Sequence, residues 1–197
     1  YWSQALGEAV KGELTGSVLE LVPFDVITWG DWKKLYPDTL VLSTETGHAR
    51  AYGVDPYGDY YTNPNLFFPV ENKDDRLHLK EIVIGFYLGK EYKAYTQRDI
   101  EAEIIISDSV GGVPLVLVSL YEQNMRAFER TINGDTLDFE SIDGMMVDLQ
   151  TGSTWNYTGL AVSGDYTGEQ LRRLPIQPGF WFEWAAFHPD TQLYGDY

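Results

Sequence analysis

The chain has 197 residues, of which 44% are hydrophobic and 15% aromatic; a chain this long can bury about 70% of its unfolded surface in one core, so neither disorder nor a disulfide scaffold is needed to account for it. With 30 acidic residues against 14 basic the net charge is -16, which repels phosphate backbones and anionic lipid and argues against nucleic acid as a partner. There is no cysteine, so thiolate catalysis, zinc-thiolate sites and iron–sulfur ligation are excluded together.

In chain order the pattern predicts an α+β fold, mainly β, in a single domain over 1–197. Residues Gly7 to Val22 alternate glycines with β-branched and leucine positions and predict paired short strands. Thr28 is placed to cap a short helix through Trp29, Trp32 and Tyr36, which Pro37 stops. Leu40 to Ser43 is expected to leave as a strand. Residues 52–70 hold three prolines among stacked tyrosines and phenylalanines and predict a long ordered loop packed over a core edge. A strand-rich block follows over 81–152. Ile82–Leu88 and Tyr92–Tyr95 flank Gly89–Lys90 as a tight hairpin, and Gln97–Glu103 is helical. Ile104–Ser107 and Val113–Leu120 flank a turn over Asp108–Gly112, and Asn133–Gly134 joins Ala127–Ile132 to Thr136–Glu140. A second aromatic helix spans Phe180 to Phe187, ended by Pro189, with a strand at Gln192–Tyr194.

Two segments, about 1–47 and 153–197, share their wording. Gly7, Ala9, Val10, Gly12, Thr15, Gly16, Leu19, Pro23, Trp29, Trp32, Pro37, Asp38 and Thr39 each recur 152 positions later, from Gly159 (159 less 7) to Thr191 (191 less 39). A period this long exceeds that of a solenoid and predicts one duplicated, pseudo-symmetric unit of short antiparallel strands and short aromatic helices. The second segment is preceded by the block 81–152, whereas the first begins at Tyr1. A full-length duplication would place about 70 further residues before Tyr1. A start at Tyr1 rather than Met fits a processed or excised piece of a longer precursor. The shortened first segment is expected to leave strand edges unpaired, and so to favour a homo-oligomer. No apolar run approaches the roughly 18 residues of a membrane span, so no membrane insertion of this segment is expected.

The strings WSQxxGxAVxGxLxG at Trp2–Gly16, PDTxVLSxxTG at Pro37–Gly47, YGxDPYGxY at Tyr52–Tyr60, RLHxKE at Arg76–Glu81, KAY at Lys93–Tyr95, SDSVGGVP at Ser107–Pro114, TGSTWN at Thr151–Asn156 and FWFEWAAFHPDT at Phe180–Thr191 span the chain. Together they resemble the DUF3179 family of uncharacterised prokaryotic proteins. The resemblance implies an extracytoplasmic or cell-surface location, since relatives are often predicted to be exported or anchored. Many relatives carry a CPLC-like cysteine pair after the strand matching Val113–Leu120. Here that stretch reads Ser119, Leu120, Tyr121, Glu122 and Gln123, so a redox or metal role of that pair does not transfer.

Chemistry motifs are sparse: there is no phosphate loop, nucleophile elbow, HExxH or EF-hand ligand ladder. His188 is the best single candidate for catalysis, because Asp190 stands two positions on, where a carboxylate can orient an imidazole. Its counterpart in the first segment is Tyr36. Asp38 and Asp190 form a repeated carboxylate pair of the type that performs glycoside hydrolysis, although a Pro-Asp-Thr after a helix is also ordinary turn chemistry. The repeated Trp29–Trp32 and Trp181–Trp184 put two indoles on one helix face, where they either stack on a ligand beside Tyr57 and Tyr60 or wedge each helix into the core. No metal site is expected from the histidines and no cofactor is called for. Calcium is a minor candidate at the acidic runs Asp55–Asp59 and Asn72–Asp75. These readings favour an extracytoplasmic binding or assembly module for a small-molecule, glycan or protein ligand, without evident catalysis. The alternative is a hydrolase using carboxylates and His188 in a cleft between lobes.

Overall fold

The computed structural model describes residues 1–121 and 124–196. The described chain divides into two compact units, one of residues 1–26 with 70–197 and one of residues 27–69. It is an α+β chain of the mainly β type, with three helices of 7 residues each among the described residues.

The larger unit opens with a two-stranded ribbon of β1 (Trp2–Ser3) and β2 (Glu8–Ala9). The smaller unit holds α1 (Trp29–Leu35). Thr28 caps it by accepting a hydrogen bond from Asp31 N, and it ends at Tyr36, before Pro37. From there to Pro69 the smaller unit has turns only. Its loop is held by rings, with Tyr60 stacked on Phe67 at 4.1 Å and Tyr57 edge-on to Tyr61 at 6.3 Å.

Returning to the larger unit, β3 (Ile82–Leu88) and β4 (Glu91–Thr96) form the expected hairpin. Gly89 and Lys90 both have positive φ, 54° and 73°, the geometry that matches the right-handed strand twist in a two-residue turn. Next come α2 (Gln97–Glu103), capped by Thr96, then β5 (Ile105–Val110), β6 (Val113–Tyr121) and β7 (Asn124–Glu129). The turn between β5 and β6 is tighter than the expected Asp108–Gly112. Gly111 and Gly112 alone carry φ of 54° and 77°, so β5 runs three residues further into it, through Asp108, Ser109 and Val110. Beyond β7, Asn133 and Gly134 turn β8 (Thr131–Ile132) into β9 (Asp135–Thr136), with φ of 51° and 94°. β10 (Phe139–Ile142), β11 (Met145–Asp148), β12 (Thr154–Trp155) and β13 (Ala161–Ser163) make an antiparallel sheet. The chain closes with β14 (Arg173–Leu174), β15 (Gln177–Phe180), α3 (Trp181–Phe187) and β16 (Gln192–Leu193).

Three four-stranded sheets stack in this unit, ordered β15-β3-β4-β16, β14-β7-β6-β5 and β10-β11-β12-β13. Strand alternation distributes the core between them. From the middle sheet, Leu115, Leu117, Ala127 and Leu174 face Ile84, Phe86 and Tyr95 of the first sheet. Val116, Val118 and Phe128 face Met146, Trp155 and Ala161 of the third. Covered on both faces, the middle sheet explains why β6 reads as a near-continuous apolar run rather than an alternation. The outer face of the first sheet, Val83 and Ala94, is closed by Trp181, Trp184 and Ala185 of α3.

The segments 1–47 and 153–197 make the same local hydrogen bonds. Ala9 N donates to Ser17 O at 2.9 Å and Ala161 N to Glu169 O at 2.9 Å; Leu19 N donates to Gly7 O at 2.8 Å and Leu171 N to Gly159 O at 2.8 Å. Gly16 N closes on Ala9 O as Gly168 N closes on Ala161 O, at 2.8 and 2.9 Å. The recurring glycines serve this path, since Gly7, Gly12 and Gly16 and their counterparts Gly159, Gly164 and Gly168 all sit at positive φ, where other residues are strained. One expectation fails. Leu40–Ser43 forms no strand, although its counterpart Gln192–Leu193 pairs in parallel with Lys93–Ala94 of β4. Extended backbone becomes a strand only where an edge offers it partners.

Candidate functional site

The second aromatic helix brings several of the expected residues together. Trp181 is fully buried; its Nε1 donates to Asp74 O at 3.2 Å and the Arg76 guanidinium lies 5.2 Å from its ring. Trp184 lies against β3, and a Cβ added at Gly85 would run into its ring. Gly85 is therefore a contact requirement of the indole. Trp184 Nε1 donates to Thr191 Oγ1 at 2.9 Å, and in the other segment Trp32 Nε1 donates to Thr39 Oγ1 at the same 2.9 Å. This bond accounts for the repeated pairing of a tryptophan with the threonine of Pro-Asp-Thr. The threonine satisfies the indole N–H that burial would otherwise orphan.

His188 follows α3 directly and is buried. Its ring stacks on Tyr92 at 4.2 Å and lies 4.3 Å from Trp184. Its Nδ1 is buried with no hydrogen-bond partner among the described residues, so Asp190 does not orient the imidazole through that atom. Burial alone lowers the His188 pKa, which favours the neutral ring. A groove of about 250 Å³ opens beside it, lined among others by Val22, Phe24, Glu183, Trp184 and His188. The carboxylate in this groove is Glu183, which the sequence reading passed over because it lies within the aromatic helix string. A second, more apolar groove of about 450 Å³ has Val26, Ile82, Met125, Ile176 and Phe180 on its walls.

The remaining candidates are dispersed. Asp190 is exposed in the turn after α3, and Asp38 is exposed in the turn after α1. Trp29 is exposed, with Lys33 Nζ 5.5 Å from its ring, and Trp32 is tilted against Tyr36 at 4.4 Å. Tyr57 is exposed, while Tyr60 is stacked within its own loop. Acidic runs spend carboxylates on local structure: Asp55 Oδ1 accepts from Tyr57 N at 2.8 Å, and Asp74 takes the Arg76 guanidinium at 2.7 Å. Among the described residues no group of three or more His, Asp or Glu lies together so as to hold a metal ion.

Two polar clusters went unforeseen because their members lie far apart in the chain. Asp25 accepts from Arg126 at 2.8 and 2.9 Å and from Arg173 at 2.5 Å, and Arg173 also donates to Phe24 O at 2.8 Å. Burial would raise the Asp25 pKa, but the two guanidiniums outweigh it and hold the carboxyl below its ordinary range. Asp108 joins two of the sequence strings: Lys93 Nζ donates to its Oδ2 at 2.7 Å and Tyr95 OH at 2.8 Å. Burial, and then the Asp108 charge, push the Tyr95 phenol upward. The string TGSTWN likewise proves structural, since Asp148 accepts from Trp155 Nε1 at 2.9 Å and from Thr151 N at 2.7 Å.

Fold and site thus define a mainly β α+β protein whose aromatic helix closes a three-sheet stack, with shallow grooves beside it. Residues 1–191 match a family described as a protein of unknown function, DUF3179, and the chain belongs to that family. No curated protein and no solved structure matches it. Of the stretch Ser119–Gln123, Glu122 and Gln123 lie outside the described residues. Among the described residues no helix is long and apolar enough to cross a membrane.

Proposed function

We propose that the protein is an extracytoplasmic or cell-surface binding and assembly module, built on a duplicated unit and without evident catalysis of its own. One observation carries the reading. The first segment repeats the hydrogen bonds of the second, yet it exposes the counterparts of side chains that the second buries. Leu19 is 54% exposed against 2% for Leu171, and Val22 is 74% exposed against 1% for Leu174. Val10, Leu14, Val18 and Leu21 are exposed beside them in sequence. Large contiguous apolar patches mark interaction sites. The expected outcome is association that rises with concentration in sedimentation velocity, together with binding of an apolar dye, both lost in Leu19→Glu/Val22→Glu. A wild-type chain that stays monomeric and takes up no dye rules this reading out. The extracytoplasmic placing rests on the family resemblance and is tested by fractionating cells that express the full gene product.

A hydrolase reading has one specific observation in its favour: His188, neutral through burial, shares a groove with Glu183. A hydrolase screen in which turnover vanishes with His188→Ala would favour it, and unchanged turnover would remove His188 from any catalysis.

A further inference from the structure

The second segment shows, residue by residue, what covers such a unit. Its Arg173–Leu174 pairs with Phe128–Ala127 of β7, its Gln177–Phe180 with Gly85–Ile82 of β3, and its Gln192–Leu193 with Lys93–Ala94 of β4. All three edges belong to the block 81–152. The matching stretches of the first segment are Leu21–Val22, Asp25–Thr28 and Leu40–Val41, by subtraction of 152. None of these is in a strand, and Leu21, Val22, Leu40 and Val41 are exposed. The chain's own block cannot serve them, because the second segment already fills those edges of β3, β4 and β7.

We infer that the first segment is a docking surface for a second β block, built like residues 81–152, that receives Leu21–Val22 and Asp25–Thr28 as edge strands. This rests on the assembly reading above and names its partner. Main-chain pairing would supply much of the contact, as in other cases of strand addition. Charge refines the partner's chemistry. In the second segment Arg172 Nε donates to Glu129 Oε2 of β7 at 2.7 Å. The matching residue of the first segment is Glu20, so the partner block should present a cation where Glu129 stands.

The test joins an additional copy of residues 81–152 through its Gly152 to Tyr1, the junction by which the existing block runs into the second segment. Amide exchange at Leu21–Val22 and Asp25–Thr28 is expected to slow about 100-fold relative to the unfused chain. Placing Glu129→Lys in the added block should slow it about twofold to fivefold more, and Val22→Pro should abolish the gain. Unchanged exchange at these amides overturns the inference. An added block that stays unfolded overturns it as well, because the first segment would have failed to complete its sheets. If either happens while the fused chain still self-associates through Leu19 and Val22, the assembly reading stands with another partner; if self-association is also absent, both fall.

Discussion

The first and second segments are two readings of one local design, and they differ in what lies beside them. Both turn on glycines at positive φ, both end in a seven-residue aromatic helix, and both close a tryptophan N–H on the threonine of Pro-Asp-Thr. In the second segment Trp181, Trp184, Leu171 and Leu174 are buried by β3, β7 and the sheet of β10–β13. In the first, Trp29 is 46% exposed. Local hydrogen bonds therefore persist without the packing, while the strand pairings of Arg173–Leu174, Gln177–Phe180 and Gln192–Leu193 have no counterpart in the first segment. Chain-local bonds are satisfied within the segment, whereas a strand needs a partner edge and an apolar face needs a covering layer.

Substitutions at matched positions should expose this difference. The largest gap is expected between the first tryptophans: Trp181→Ala should cost about 3–5 kcal/mol in urea unfolding, while Trp29→Ala should stay within about 0.5 kcal/mol. Equal costs would mean that the first segment is packed in solution.

Asp25 is the exception in the first segment, because its half-buried side chain is paired with the buried Arg126 and with Arg173. Asp25→Ala should cost about 3 kcal/mol by stranding a buried guanidinium, and its counterpart substitution Gln177→Ala should cost less. The carboxyl pKa is lower folded than unfolded, so the unfolded state binds more protons at low pH. The Asp25 contribution is thus present above about pH 4 and lost as pH falls through the folded value. Acid titration of the wild type against Asp25→Ala checks the sign.

Removing the indole acceptor gives a smaller contrast. Thr191→Val should cost about 1–2 kcal/mol, the penalty of a buried N–H left unpaired, and Thr39→Val less, since water can reach Trp32. Equal effects would show that this bond acts alike in both surroundings. The smallest effect is expected where the segments place His188 against Tyr36. Burial lowers the His188 pKa, so protonation opposes folding, and stability should decline as pH falls below about 6.5. His188→Gln should flatten that limb, and an unchanged pH profile would place the titration elsewhere.

Much of the scaffold was legible in residue patterns. The hairpins at Gly89–Lys90 and Asn133–Gly134, the helix Gln97–Glu103 capped by Thr96, and both aromatic helices rest on signals within a few residues of each other. The strand expected at Leu40–Ser43 did not form, because its fate depended on an edge elsewhere. Candidate site residues fared in the same way. The spacing of His188 and Asp190 suggested a pair, but the histidine turned inward onto Tyr92 while the aspartate stayed in solvent. Glu183 and the Asp25–Arg126–Arg173 clamp, whose members lie 101 and 148 positions apart, had no local signal at all.

By itself the sequence determined the turns at Gly89–Lys90 and Asn133–Gly134, the three short helices and the local hydrogen-bonded unit that the two segments share, because each depends on backbone preference and short-range hydrogen bonding. Tertiary structure decided which copy of that unit is buried, which extended stretches become strands, and which charges meet. Those outcomes depend on the surfaces brought alongside, which bury Leu171 and Leu174 and leave their counterparts Leu19 and Val22 exposed.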